Sequence, residues 1–322
     1  MPPLRVALVG AGGIGRTHLT AWKSVPGVEI VAVVDADTAR GETAAGEVGA
    51  RAFDAVVPML DAVRPDAVDI CTPPVAHRAP AEAALAAGAH VLCEKPLADT
   101  PGDAKVIVDA AERSGRLLMT AFCHRFHPPV ARLKELITEG RLGRIGMFRN
   151  RFAGPFVGVE DVWFSKPEVS GGGCLMDTSV HSVDCFRFLV GEVVRAEGAG
   201  LTLNPELAPG VEDTAAMMLV AESGAIGIIE SSWALQGGVN VVEIYGTEGV
   251  AYVHYWDGFT SRYKTKDMAG YESLPEDGDR FVGELSHFAA AATGQCPLSV
   301  TGHDGLRAVE IIYQAYASAG LR

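Results

Sequence analysis

One short stretch, Gly171-Gly172-Gly173-Cys174-Leu175-Met176-Asp177-Thr178-Ser179-Val180-His181-Ser182-Val183-Asp184, gathers residue types that move protons. Read as an α-helix, it puts Asp177 and His181 one turn apart and Asp184 three residues further on, all on one stripe. Leu175, Met176, Val180, Val183 and Phe186 fill the other faces, and a helix that is apolar nearly all round is buried. Buried polar groups are costly without partners, so the stripe is either satisfied internally or faces a polar crevice. Facing a crevice, it suits the oxidation of a secondary alcohol, which removes a hydride and a proton. The proton needs a general base near the hydroxyl, and histidine titrates in the right range. The bland reading is a core histidine bonded to a helix neighbour. The three glycines weigh against it, because they allow close backbone approach to a ligand. Asp177, His181, Asp184 and Cys174 also invite a metal. Pairs four apart on a helix are common, however, and no further compact His or Cys cluster follows, so no metal is expected. His124 and His127, in His124-Arg125-Phe126-His127, carry no clear partner motif.

A hydride needs an acceptor, and the N-terminus offers a place for one. An apolar run, Leu4–Val9, leads into Gly10-Ala11-Gly12-Gly13-Ile14-Gly15. Gly10 permits a tight turn, Gly12 lets the backbone approach a pyrophosphate, and Gly15 lets the helix pack on the strand. The helix N-terminus then offers unpaired N–H groups to phosphate. His18, one turn along, is read as a packing or capping residue. Asp35, twenty residues after Gly15, ends a second strand, where it can accept from both ribose hydroxyls and repel a 2′-phosphate. NAD is therefore expected, with NADP disfavoured. Two further strand ends face the same crevice: Cys71-Thr72-Pro73-Pro74, with His77 soon after, and Glu94-Lys95-Pro96. Lys95 follows an apolar strand and should point into the crevice.

The elements that must position these residues follow from periodicity. Leu4–Val9, Glu29–Val34, Ala67–Cys71, His90–Cys93 and Arg116–Ala121 read as strands covered on both faces. Helical stretches over Ala39–Val48, Ala76–Ala87 and Pro101–Ser114 alternate with them, which predicts a doubly wound parallel sheet. Beyond residue 122 the pattern changes. Helices are expected over Pro128–Glu139, from Cys174 to Leu189, over Phe281–Ala292 and over Asp304–Ala319. Between them lie strands at Ala196–Leu203, Thr214–Ala221, Ala225–Leu235, Val239–Tyr245 and Val250–Tyr255. Turns at Glu222-Ser223-Gly224 and Gly237-Gly238 favour antiparallel pairing. The expectation is an α/β Rossmann domain over residues 1–122, then an α+β domain over 123–322 with a large, open, mostly antiparallel sheet.

Composition narrows the function classes. With 27 basic against 40 acidic residues the chain is net −13, and such a surface repels nucleic acid and anionic membranes. No apolar run is long enough to span a bilayer, and the N-terminus lacks the layout of a secretion signal. The six cysteines form no Cys-x-x-Cys pair, which fits reduced thiols and a cytoplasmic location.

Taken in order, the glycine fingerprint, Cys71-Thr72-Pro73-Pro74, Glu94-Lys95-Pro96 and the Gly171–Asp184 segment resemble the glucose–fructose oxidoreductase and inositol dehydrogenase (Gfo/Idh/MocA) family over essentially the whole chain. The resemblance implies an NAD(P)-dependent oxidoreductase acting on a hydroxyl or carbonyl of a sugar, an inositol-like polyol or a sugar derivative. It implies that Lys95 and His181 flank the reacting hydroxyl with Asp177 beside them, one of the two being the proton acceptor. Asp184 supports the helix or the substrate. Arg125 and Phe126 match a segment lining the substrate side. Trp163 and Lys166 are further candidates, Trp163 either stacking on a sugar ring or packing in the core. A homodimer or homotetramer built through the C-terminal sheet is also implied. Two other readings stand beside this one: a glycosidase that uses NAD transiently, and a non-catalytic regulator that senses a nucleotide or sugar.

Overall fold

The computed structural model describes residues 2–236, 238–255 and 258–321. Gly237, half of one expected turn, lies outside them. The chain begins with β1 (Leu4–Val9), α1 (Gly13–Trp22), β2 (Val28–Val34), α2 (Thr38–Gly46), β3 (Arg51–Phe53), α3 (Val56–Val63) and β4 (Ala67–Ile70). It continues with α4 (Arg78–Ala86), β5 (His90–Glu94), α5 (Pro101–Ser114), β6 (Leu118–Ala121), α6 (Pro128–Thr138) and β7 (Ile145–Ala153). A short helix α7 (Pro167–Ser170) precedes a π-helical turn over Leu175–Ser179, which runs into α8 (Val180–Leu189). Then come β8 (Val193–Leu201), β9 (Thr214–Ala221), β10 (Ile226–Ser232), β11 (Val241–Gly246), β12 (Gly249–His254), β13 (Arg262–Thr265) and β14 (Glu272–Ser273). Two helices, α9 (Arg280–Ala292) and α10 (Gly302–Ala319), follow.

Two compact units result: Met1–Cys123 with Asp279–Arg307, and His124–Gly278 with Ala308–Arg322. In the first, a parallel sheet runs β3-β2-β1-β4-β5-β6. Ala7 and Val9 of β1 face one apolar core and Leu8 the other, as expected of strands covered on both faces. The strand order reverses between β1 and β4, so Gly10 and Thr72, just beyond their carboxyl ends, flank the switch point where such sheets bind ligands.

The expected boundary assigned everything after residue 122 to the second domain. Residues 279–307 instead pack with the first unit. The reason is α1, which carries His18 and Trp22 on its outer face and needs a cover. The apolar stripe of α9 supplies it: Phe288 meets Trp22 edge-on at 6.5 Å and Phe281 lies 5.9 Å from His18.

The second unit has an eight-stranded sheet in the order β14-β13-β12-β11-β7-β10-β9-β8. The Glu222-Ser223-Gly224 turn joins the antiparallel pair β9 and β10, as expected. The expected pairing of β10 with β11 does not occur. Strand β7 lies between them, parallel to β10 and antiparallel to β11. β7 escaped the sequence reading because Arg149 and Arg151 alternate with Phe148, Asn150 and Phe152. Both arginines pair with Glu230 of β10, at 2.6 and 2.7 Å, on one sheet face. The other face carries α8, whose Phe186 meets Phe148 edge-on at 5.4 Å and lies where a side chain on Gly227 would stand.

Phe288 is fully buried, so Phe288→Ala should cost about 3–5 kcal/mol in urea unfolding of the first unit. A loss under about 1 kcal/mol would show that α9 is not part of that core.

Candidate functional site

The glycine turn is fixed by contact between backbones. Gly10 has φ +93°, and a Cβ there would lie 2.7 Å from the Cys71 carbonyl oxygen. A Cβ on Gly15 would lie 1.9 Å from the Gly10 oxygen. Gly12 and Gly13 have open space where a side chain would be, which leaves the turn and the start of α1 accessible to a phosphate. Ile14, between them and Gly15, is half-buried against the core that includes Leu8 and Leu19. Asp35 holds the turn from beside: its Oδ2 accepts the Ala11 N–H at 2.8 Å and its Oδ1 accepts the Asp37 N–H at 2.8 Å. Arg40 approaches Oδ2 at 3.2 Å from an exposed position.

The two other strand ends are tied together. Thr72, Pro73 and Pro74 turn sharply, with the Thr72 hydroxyl donating to the Ala76 carbonyl at 3.2 Å. His77, expected in the cofactor site, is fully buried. Its Nε2 lies 2.7 Å from the Thr72 carbonyl and its Nδ1 3.0 and 3.3 Å from those of Pro96 and Leu97. Each ring nitrogen faces backbone carbonyls, and since a neutral imidazole carries one N–H the ring donates to one of the two turns while packing against the other. Burial pushes its pKa down. Glu94, also expected to touch cofactor, is buried, and its Oε2 accepts the N–H of Lys95 at 2.9 Å. Lys95 itself is half-buried.

Beneath Glu94 lies a polar cluster. His18 is fully buried, with Nδ1 3.0 Å from Asp69 Oδ2 and Nε2 3.1 Å from Glu94 Oε1. The Nε2 contact has ion-pair length but not hydrogen-bond direction. The Trp22 indole N–H donates to Asp69 at 2.7 Å. Burial alone would lower the His18 pKa, but Cys71 and Asp69 beside it outweigh that and hold it well above the usual histidine range. The Cys71 thiol is itself pushed far up by burial, so the Asp69 carboxylate is the charge that favours the imidazolium. Glu284 of α9 is fully buried and neither oxygen has a hydrogen-bond partner. Burial raises its pKa well above the usual glutamate range. Its position in the stripe Phe281, Glu284, Leu285, Phe288 was the available sequence signal: a carboxylate on an apolar face.

In the second unit, the expected regular helix is broken by the π turn, a common mark of a functional site. His181 and Asp184 both lie beyond it in α8, so the wider turn changes only the phase of Asp177 relative to them. Asp177 and His181 are half-buried, whereas Asp184 is buried and turned to Arg125, which grips it with Nε at 2.9 Å and Nη2 at 2.5 Å. Arg125, expected to bind substrate, is thus held in a buried ion pair under the Phe188 ring, and Asp184 supports the helix. The three glycines also have a different purpose. A Cβ on Gly173 would lie 1.9 Å from the Glu212 carbonyl oxygen, and one on Gly172 would lie 2.1 Å from Tyr316 Oη. Gly172 and Gly173 thus permit close packing within the protein. The Glu212 carboxylate caps the helix start, accepting from the N–H groups of Gly173 and Leu175 and from Tyr316 Oη at 2.8 Å.

His181 does have company that sequence did not suggest. Its ring lies 4.4 Å from that of His124, whose Nδ1 is 3.1 Å from the Tyr255 hydroxyl. Tyr255 stacks on His127 at 4.7 Å. Trp163 is half-buried and stacks on Phe164, which touches Trp233. The Trp233 N–H donates to Thr178 in the π turn at 3.0 Å. Lys166 is exposed.

Residues 4–122 match the oxidoreductase family with an NAD-binding Rossmann fold, and residues 130–252 match the GFO/IDH/MocA C-terminal domain. The chain is 30% identical to D-apiose dehydrogenase of Paraburkholderia graminis over 97% of this chain and 87% of that protein. It is 30% identical to inositol 2-dehydrogenase of Rubrobacter xylanophilus over 98% and 90% of the two chains. Levoglucosan dehydrogenase in complex with NADH and levoglucosan superposes with a TM-score of 0.91 at 27% identity, covering 99% of this chain and 97% of that one. The chain belongs to the GFO/IDH/MocA family of NAD-dependent oxidoreductases. The residues present fit the dinucleotide: open space at Gly12 and Gly13, a helix N-terminus behind them, and a carboxylate at the end of β2. No helix among the described residues is long and apolar enough to cross a membrane.

The buried cluster sets a pH dependence. A group whose pKa is raised by folding binds its proton more tightly in the native state, so its contribution to stability is lost as pH rises. His18, which faces Asp69, Cys71, Glu94 and Glu284, and Glu284, which faces His18, Asp69, Glu94 and Arg280, act in the same direction. Glu284→Gln cannot ionise. Its unfolding temperature should therefore exceed that of the unsubstituted protein by more at about pH 9 than at about pH 5. An equal difference at both would show that Glu284 does not titrate.

Proposed function

We propose that this protein is a dehydrogenase that passes a hydride between NAD and a secondary hydroxyl of a sugar or polyol, with Lys95, Asp177 and His181 as its reacting groups. When bound, the nicotinamide supplies the hydride acceptor. The observation that carries the reading is the pairing of a complete dinucleotide turn with two half-buried groups able to handle a proton, Lys95 beyond β5 and His181 beyond the π turn. His181 takes the hydroxyl proton, with Asp177 in the preceding turn favouring its charged form. Lys95 donates a hydrogen bond to the same oxygen and stabilises the charge that develops there. Asp35, fixed at the end of β2, favours NAD by repelling a 2′-phosphate. Trp163 offers the apolar face that a sugar ring stacks on.

The substrates named for the relatives, apiose, inositol and levoglucosan, all carry secondary hydroxyls, which supports the same class here. Residues 1–122 are proposed as the cofactor-binding part and the remaining sheet as the substrate and assembly part. One face of that sheet carries Arg149, Arg151 and Glu230 beside a cavity of about 500 Å³ lined by Ala199, Leu201, Ala216 and Leu235. That face is proposed as a homodimer or homotetramer contact. Free cysteines, five of the six buried, fit a reducing cytoplasm.

The test is a panel of polyols, aldoses and uronates with NAD, followed by nicotinamide absorbance. Lys95→Ala and His181→Ala should each lower turnover at least about 100-fold. Near-normal rates in both variants would remove the assignment. Glycoside cleavage without net NADH would favour the transient-oxidation chemistry instead.

A further inference from the structure

The cluster beneath Glu94 has no place in the chemistry above, yet it touches the segment that carries Lys95. Three facts bear on what it does. His18 stands on α1, the helix that opens at the glycine turn, and its ring sits between two carboxylates, Asp69 on β4 and Glu94 at the end of β5. Glu94 is buried with its Oε1 turned inward to His18 and its Oε2 turned back to the Lys95 N–H. Cys123, whose thiol pKa burial raises, lies within reach of Lys95, Glu94, Glu284 and Arg280, so the lysine and the cluster are neighbours.

We propose that His18 is a positioning residue for Lys95: the ring, clamped by Asp69, holds the Glu94 carboxylate inward, and Glu94 fixes the backbone from which Lys95 projects. The inference rests on reading Lys95 as a catalytic group. A carboxylate accepting its own neighbour's N–H needs its remaining lone pairs occupied if it is not to swing out. A charged ring at 3.1 Å does that by Coulomb attraction, which is stronger in a water-excluded interior than in water. Asp69 in turn is held by Trp22 and His18, so the ring has one orientation. His77 braces the same segment from its other side through Pro96 and Leu97. Lys95 is thereby tied to the helix that receives the cofactor phosphates and to the turn after β4. Misplacing a reacting group by about 1 Å can cost about 100-fold in rate, and this arrangement guards against it.

The test is a double-mutant cycle, His18→Gln, Glu94→Gln and both together, with Lys95→Ala in parallel. Each single variant should lose about 10- to 100-fold in kcat, with KM for NAD within about twofold of the unsubstituted enzyme. The double variant should be no slower than the worse single one, because the two residues act through one contact. Residue-resolved amide exchange reads the same contact without turnover. The Lys95 amide should exchange at least about tenfold faster in His18→Gln, while the β5 amides keep their protection. If His18→Gln does not fold, Glu94→Gln, which keeps the volume, carries the kinetic arm. Wild-type kcat in His18→Gln beside a crippled Lys95→Ala, additive losses in the double variant, or unchanged Lys95 exchange would each overturn the proposal. Near-normal turnover in Lys95→Ala would instead overturn the role given to Lys95 itself, and the exchange result would still decide whether His18 positions it.

Discussion

The nucleotide side of this protein depends on one steric constraint: the first turn of α1 lies directly on the end of β1, glycine against glycine. A single methyl group on Gly15 would penetrate the Gly10 carbonyl, and one on Gly10 would penetrate the backbone after β4. Everything near the switch point takes its position from that contact. The Asp35 carboxylate reaches the Ala11 amide because the turn is tight, and His18 reaches Asp69 and Glu94 because α1 leaves the turn at that angle.

A second constraint is electrostatic. A Rossmann core is a poor place for charge, yet this one encloses the side chains of His18, Asp69, Glu94 and Glu284. Such groups are tolerated where they pair, as Asp69 does with Trp22 and His18, or where burial raises the acid's pKa, as at Glu284, neither of whose oxygens has a partner. Arg125 and Asp184 in the second unit follow the same rule, as a buried two-point pair that steadies α8.

Much of this was legible in the sequence, for identifiable reasons. The glycine turn and Asp35 are readable because backbone geometry dictates their residue types. α5 was bounded correctly because its ends are chemically marked: Thr100 accepts the Asp103 N–H, and Gly115 adopts φ +66°. Strand β7 was hidden by its arginines, whose partner Glu230 is 79 to 81 residues away. The π turn was hidden because helical spacing assumes 3.6 residues per turn, and it shifts Asp177, while Asp184, spaced from His181 within α8 as expected, is gripped by Arg125. The return of residues 279–307 to the first unit is a tertiary event with no local signal beyond the apolar stripe of α9. The resemblance alone put Arg125 on the substrate side, and His77 and Glu94 read as facing a ligand because they follow strand ends. Here their partners are other parts of the protein, and His181 has a ring contact with His124, itself 3.1 Å from the Tyr255 hydroxyl.

The central claim is that hydride passes directly between a hydroxyl-bearing carbon and the nicotinamide. It is tested most directly with a substrate from the turnover panel carrying deuterium on that carbon, oxidised in ordinary water with NAD. The NADH formed should carry the deuterium at C4 of the nicotinamide ring. NADH without deuterium, or substrate consumed with its deuterium retained and no NADH formed, would contradict it.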